Sequence, residues 1–270
     1  MATTPRLFVQ DDLTDAGTVT LPADQSHYLV TVLRKEAGAP LLVFNGRDGE
    51  WAAEIATAHK KHCVISLVER TREQAASPDL ALLFAPVKKA PIDQIAQKAT
   101  ELGCSILQPV MTARTIVNRV KEDRLAANTI EAAEQSERLD VPEVRATEKL
   151  EAVIGSWQET YPGRRLIFCD EAGDEDGERW GGAGGRARPM LEALAAFRDT
   201  PLPSRQVSWA ILTGPEGGFT PEERDLLRRQ DFVTPVTLGP RILRADTAAF
   251  AAITLWQAAL GDLSEGFTVR

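Results

Sequence analysis

"VSWAILTGPEGGFTPEERDLLRRQ", residues 207–230, changes character twice in a short span. Val207 to Thr213 is nearly continuous in apolar residues, the pattern of a strand covered on both faces in a parallel sheet. Gly214, Gly217 and Gly218 then mark a tight loop,. Thr220 is a good N-cap, Pro221 suits the first helical position, and Glu223 completes a capping box. The stretch therefore predicts strand, glycine loop and helix, the repeating element of an α/β fold.

The same rhythm continues on both sides. Upstream, "LALLFAP" from Leu80 is a strand and "PIDQIAQKATELG" a helix with Pro91 in its first turn and Gly103 at its stop,. "SILQPVM" is a strand, "KEDRLAANTIEAAEQSER" a long helix and "RRLIFCD" a strand. Downstream, "FVTPVTLG" is a strand and "ADTAAFAAITLWQAAL" a final helix. Such alternation predicts a parallel α/β domain over residues 78–270. Within it, residues 170–189 read as an exposed acidic glycine-rich loop. Residues 1–72 are different: short β-branched runs, a hairpin turn at Asn45 to Gly49 and one short helix from Ala23 predict a small β-barrel. The polar run from Arg70 to Asp79 reads as the linker.

The net charge of −8 counts at first against a nucleic-acid binder,. The excess is local, however. Six carboxylates lie in "DEAGDEDGE", Asp170 to Glu178, and the remainder can still present a basic face. The three cysteines, Cys63, Cys104 and Cys169, are far apart and read as reduced thiols of a cytoplasmic protein,. His59 and His62 lack partners at zinc spacing, so no metal site is expected. No apolar run approaches the ~18 residues of a membrane span.

The glycine loop is neither a Walker A loop nor G-x-G-x-x-G. Phosphate-binding loops present bare N–H groups at a positive helix end. Here the helix start is capped internally, and Glu216, Glu222 and Glu223 add negative charge. Phosphate is disfavoured, and a neutral or cationic ligand that still needs close backbone contact is favoured. The adenosine and sulfonium of S-adenosylmethionine fit that description. A second constellation is "TLGPRILRADTAAFAAI", Thr237 to Ile253. Arg241 and Arg244 flank Ile242 and Leu243, followed by Asp246 and Thr247 at a small-residue helix. It reads either as a plain helix start with surface arginines or as an apolar wall for adenine with an arginine aimed at a substrate anion. Lys98 with Glu101, and Glu134 with Arg138, read as solvated helical pairs.

Together and in order, "QKATELG", "EQSER…P", "LTGPEGGFTPEE" and "LGPRILRADTAA" resemble the 16S ribosomal RNA (uracil(1498)-N3)-methyltransferase family, of SPOUT class. The N-terminal "PRLFV…HYLVTVLRKEAG…VFNGRDGEW" is similar to its PUA-like RNA-binding barrel. The resemblance implies a SPOUT-type parallel sheet with a C-terminal trefoil knot, an exception to unknotted topology. It implies S-adenosylmethionine held by Leu212, Thr213, Gly214, Glu216, Gly217, Leu238, Gly239, Ile242, Leu243 and Thr247. A homodimer is implied too, acting on the 16S RNA of the 30S ribosomal subunit. The family usually has Glu where this chain has Asp246, whose carboxylate is one methylene shorter.

On this reading Arg244 favours the uracil anion, Glu216 or Asp246 is either the proton acceptor or purely structural, and Arg241 or a subunit-crossing Arg138 holds RNA. Further RNA contacts are expected from Arg6, Arg34, Lys35, Lys60 and Lys61, and from Lys88, Lys89 and Arg114. Two alternatives stay open: a methyltransferase of another RNA such as transfer RNA, and a non-catalytic RNA-binding assembly factor.

Overall fold

A computed structural model describes residues 4–87, 90–170, 187–198 and 208–264. The chain divides into two compact units. One holds residues up to Ser77 together with Ile130–Val141; the other holds the rest.

The first unit contains β1 (Arg6–Phe8), β2 (Thr18–Thr20), α1 (Ala23–His27), β3 (Pro40–Phe44), β4 (Glu50–Thr57) and β5 (Val64–Arg72). They form one sheet in the order β1-β3-β4-β5-β2, antiparallel except for β1 beside β3. The expected barrel is therefore a five-stranded sheet whose ladders leave β1 and β2 as its ends. Three register shifts between β4 and β5 strengthen its twist around Leu7, Val19, Leu41, Val43, Ile55 and Ile65,. After α1 the helix widens into one π turn, Tyr28–Val32, and Arg34 adopts φ 53.

The β3–β4 turn follows from its sequence. Asn45 Oδ1 accepts the N–H groups of Arg47 and Asp48, both at 2.9 Å. Gly49 then takes φ +83, and a Cβ there would stand 2.1 Å from the Arg72 carbonyl oxygen. Gly49→Ala is expected to cost about 2–3 kcal/mol, read as a lower midpoint in urea unfolding.

The long helix expected through Arg138 ends earlier. It is α3 (Glu122–Gln135), and Glu137 adopts φ 63 just beyond it. The Ala133 and Glu134 carbonyls accept hydrogen bonds from the Arg6 guanidinium at 2.9 and 3.4 Å. Arg6 also pairs with Glu50 at 2.7 Å and lies 3.8 Å over the Phe44 ring. Its side chain is only 6% exposed, and burial pulls its pKa down. Arg6 is a structural clamp, which corrects the expectation that it contacts RNA. Glu134 and Arg138 likewise form no solvated pair, because Arg138 falls outside the helix. Glu134 accepts the Phe8 N–H at 2.9 Å, and burial raises its pKa. Arg138, 8% exposed at its side chain, bonds Asp140.

The second unit adds β6 (Leu80–Phe84), α2 (Ala90–Glu101), β7 (Ile106–Met111), the start of α3, β8 (Glu143–Val144), β9 (Glu148–Lys149), α4 (Leu150–Gly155) and α5 (Trp157–Thr160). It continues with β10 (Arg165–Cys169), β11 (Arg188–Pro189), α6 (Met190–Arg198), β12 (Trp209–Thr213), α7 (Pro221–Arg228), β13 (Val233–Thr237) and α8 (Ala245–Leu260). The strands pair in the order β11-β13-β10-β12-β6-β7-β8, all parallel, with β9 also beside β7. Alternate residues feed two cores. Leu80, Leu82, Ile167 and Ile211 join Ile95, Leu194 and Trp256 of α2, α6 and α8. Ala81, Leu83, Phe168 and Leu212 join Val153, Trp157 and Leu227 of α4, α5 and α7. Both faces are covered, which explains the unbroken apolar runs.

Candidate functional site

Parallel strands present all their carboxyl ends on one edge, where ligands of open α/β sheets bind. Register places Phe168 beside Leu212 and Cys169 beside Val236. The residues that follow, Asp170, Gly214 and Leu238, therefore emerge together. β10 lies between β12 and β13, so the chain leaving β12 crosses β10 to reach β13. This crossover brings the two constellations read from the sequence onto the same sheet edge, at strands that flank β10.

The glycine loop is shaped from within. Phe219 stands edge-on to Phe168, with centroids 4.9 Å apart, and its ring fills the space a Gly214 side chain would need: a Cβ there would be 2.6 Å from it. Gly218 takes φ +66 and its N–H closes a turn on Pro215. Thr220 accepts the Glu223 N–H, and the Glu223 carboxylate accepts the Thr220 N–H at 2.8 Å, completing the capping box. Glu223 also accepts the Ala113 N–H at 2.7 Å. Glu222 is held below the usual carboxylate range by hydrogen bonds from its own backbone N–H and the Thr220 hydroxyl. Thr220→Ala is expected to lose about 1 kcal/mol, a melting shift of about 2–4 °C in calorimetry.

The second loop begins with Gly239 at φ +110, in open space, its N–H on the Thr237 hydroxyl. Arg241, Ile242 and Arg244 are exposed, and Leu243 is half-buried. Arg244 is the backbone N-cap of α8, with no side-chain cap. Asp246 lies in the first turn, where Oδ1 accepts the Thr247 N–H at 2.8 Å and faces its hydroxyl at 3.4 Å. The Asp246 carboxylate is thus engaged locally at the helix start. Leu212 belongs to the core, Thr213 is 2% exposed and Leu238 packs against the core from the loop; Gly214, Gly239 and Leu243 are half-buried, and Glu216, Gly217, Ile242 and Thr247 are exposed. Arg114 is exposed but donates to the Gly217 and Phe219 carbonyls at 2.9 and 3.3 Å. Arg34, Lys60 and Lys61 are exposed and Lys35 half-buried. Lys88, Lys89 and most of the acidic loop at 170–189 lie outside the described residues.

Asp170 is a residue the sequence reading missed, because it opens the acidic run. Its side chain is 1% exposed and binds the guanidinium groups of Arg224 (3.0 Å) and Arg228. Its N–H donates to the Val236 carbonyl. The signal available was the i,i+4 arginine pair on the helix that follows the glycine loop.

Residues 74–257 match the model of an RNA methyltransferase domain. The chain belongs to this RNA methyltransferase family. Residues 21–68 match the RNA methyltransferase PUA domain, in the first unit. Among curated relatives, the ribosomal RNA small subunit methyltransferase E of Synechocystis sp. is 34% identical over 92% of this chain and 75% of that protein. Its namesake from Rickettsia conorii is 28% identical, over 92% and 93%. Among solved structures, the Neisseria gonorrhoeae enzyme of the same name, bound to S-adenosylmethionine, superposes with TM-score 0.78 at 25% identity, covering 96% of this chain and 99% of that one. The methyltransferase Lpg2936 of Legionella pneumophila, with the same cofactor, gives 0.77 at 27%, covering 96% and 98%. Among the described residues no acidic, histidine or cysteine group is arranged to hold a metal, and no helix is long and apolar enough to cross a membrane.

Proposed function

We propose that the chain methylates N3 of a specific uridine, the position numbered 1498, in the 16S RNA of the 30S subunit, using S-adenosylmethionine. The observation that carries the reading is that the 213–219 and 238–244 loops leave one sheet edge, from strands flanking β10, in a member of this family. The residues fit the cofactor. Among the described residues the backbone N–H groups of Leu238, Ile242 and Leu243 donate to nothing, which suits the edge of an adenine. Gly218 and Gly239 leave open space beside the backbone. The carboxylates of Glu216 and Glu222 suit a cation and repel phosphate.

When bound, S-adenosylmethionine supplies an electrophilic methyl carbon on a sulfonium sulfur, which keeps the C–S electron pair as the methyl leaves. The chain's residues prepare the nucleophile. Uracil N3 carries a proton at neutral pH, and its removal spreads negative charge over N3 and the flanking oxygens. Arg244 favours that anion electrostatically, and Glu216, exposed beside the glycine loop, takes the N3 proton. Asp246, engaged with Thr247, keeps the helix start in place. Arg241 holds RNA, with Arg34 and Lys35 from the first unit. Residues 1–72 act as the PUA-like RNA-binding domain and 78–270 as the SPOUT methyltransferase domain, with its C-terminal segments threaded as a trefoil knot. A homodimer working in the cytoplasm completes the reading.

The test is nucleoside mass spectrometry of 30S subunits from a strain lacking this chain, before and after incubation with the protein and S-adenosylmethionine. N3-methyluridine is expected to appear in 16S RNA. Its appearance in transfer RNA instead would overturn the substrate assignment.

A further inference from the structure

In a chain of net charge −8, the loop "TARTIVNRVK", residues 112–121, carries three basic residues and no acid. It leaves the carboxyl end of β7 and so shares the sheet edge with the glycine loop. Its first turn is stiff. The Thr112 N–H and hydroxyl both bond the Thr115 hydroxyl, at 3.0 and 2.9 Å. That turn is tied to the glycine loop by Ala113 N–H on Glu223 and by Arg114 on the Gly217 carbonyl. Gly217 lies close against the Arg114 stem, 3.2 Å from Cβ to Cβ if it carried one.

Past the turn the loop opens outward. Ile116 is 63% exposed, and Arg119 and Lys121 are exposed and make no ion-pair contact within 4 Å among the described residues, although the Arg119 charge helps hold Glu122 below the usual carboxylate range. The acids that follow are occupied or set back. Glu122 accepts from the Thr147 hydroxyl at 2.6 Å and the Thr147 N–H at 3.2 Å. Asp93 is held by Arg124 and Asn128, and Asp123 sits in the first turn of α3.

We propose that residues 114–121 are a docking strip for the unpaired segment of the substrate RNA. Arg119 and Lys121 take backbone phosphates, Ile116 packs against an unstacked base, and Arg114 anchors the strip to the glycine loop. An exposed aliphatic side chain between cations suits single-stranded RNA, because an A-form duplex offers mainly phosphates and 2′-hydroxyls. The target atom points the same way: N3 lies on the pairing edge, so its uridine must be unpaired when it reacts. The hydrogen bonds from Arg114 to the glycine loop and from Ala113 to the start of α7 fix the distance between the gripped RNA and the methyl donor, the positional control a bimolecular transfer needs,. The inference rests on the reading under Proposed function.

The test pairs the double variant Arg119→Gln/Lys121→Gln with Ile116→Ser. Binding of unmodified 16S RNA is measured over a range of salt, S-adenosylmethionine binding by calorimetry, and folding by melting temperature. Losing two single-strand phosphate contacts should make the slope of log K against log salt shallower by about 1.4 and raise the RNA Kd about tenfold. Ile116→Ser should raise Kd about fivefold with the slope unchanged. Cofactor affinity and melting temperature should stay at wild-type values in both. An unchanged slope and Kd in the double variant overturns the proposal. So does loss of activity on 30S particles with wild-type binding to naked 16S RNA, which would place a ribosomal protein on the loop. If wild-type protein methylates no 16S RNA, the function reading fails, and the salt-dependent binding still decides the strip.

Discussion

Arg244→Ala is expected to lower kcat for RNA methylation about 10²–10³-fold, the cost of removing one preorganised group from a developing anion, while S-adenosylmethionine binding stays near normal. The backbone of Arg244 does structural work: it is the N-cap of α8, and its carbonyl accepts the Ala248 N–H at 2.8 Å. Alanine preserves that bond. The side chain does none, since it makes no cap hydrogen bond and no ion pair among the described residues. A guanidinium on a strand-end loop with no partner among the described residues is available to substrate. Arg244→Lys keeps the charge but loses the planar fork, so it should recover part of the rate. Single-turnover kinetics and calorimetric cofactor binding, measured on both variants with an unchanged melting curve, check the assignment. Turnover retained by Arg244→Ala removes the role.

How much of this was legible in the sequence depended on the range of the interaction. The strands at 80–84, 165–169 and 209–213 were readable because both faces are covered, which leaves an apolar run as a local mark,. The start of α7 was readable because Thr220, Pro221 and Glu223 satisfy each other within three residues,. Arg6 was misread because its partners are remote. Its guanidinium is buried by Glu50 on β4 and by carbonyls at Ala133 and Arg138, and nothing near position 6 announces them. The same distance hid the end of α3. Eighteen residues of helical character, Lys121 to Arg138, outvote a single residue at positive φ, yet Glu137 turns the chain. The candidate site was legible as two loops rather than as contacts. Gly214 and Gly239 were legible as following strands, but only the strand order shows that those strands flank β10 and open on one edge.

Asp170→Ala is expected to be the most destabilising single change at the site, by about 3–5 kcal/mol, a melting shift of about 6–20 °C for a unit of this size. Ion pairs on surfaces contribute little, and an intact buried pair is often no better than an apolar one. Removing one member of a buried cluster is different, because each guanidinium loses a charge-assisted bond it was desolvated to make, even where it keeps other interactions,. The Asp170 carboxylate is 1% exposed and is shared by Arg224 and Arg228, whose side chains are 10% and 13% exposed. Those arginines belong to α7, the helix the glycine loop leads into, and the Asp170 backbone is fastened to β13 through Val236. One residue at the end of β10 therefore ties together the two elements that carry the paired loops. Cofactor affinity should fall with stability for this reason, although Asp170 makes no contact with either loop's outward face. Asp170→Asn separates the two causes. It keeps an oxygen for one guanidinium and the side-chain volume, so it should lose roughly half as much stability on the same grounds. Urea unfolding with calorimetric titration of S-adenosylmethionine on both variants reads the coupling. Stability within 1 kcal/mol of wild type in Asp170→Ala, a threshold set by ordinary surface substitutions at about ±0.5 kcal/mol, would show that α7 is held in place without this carboxylate.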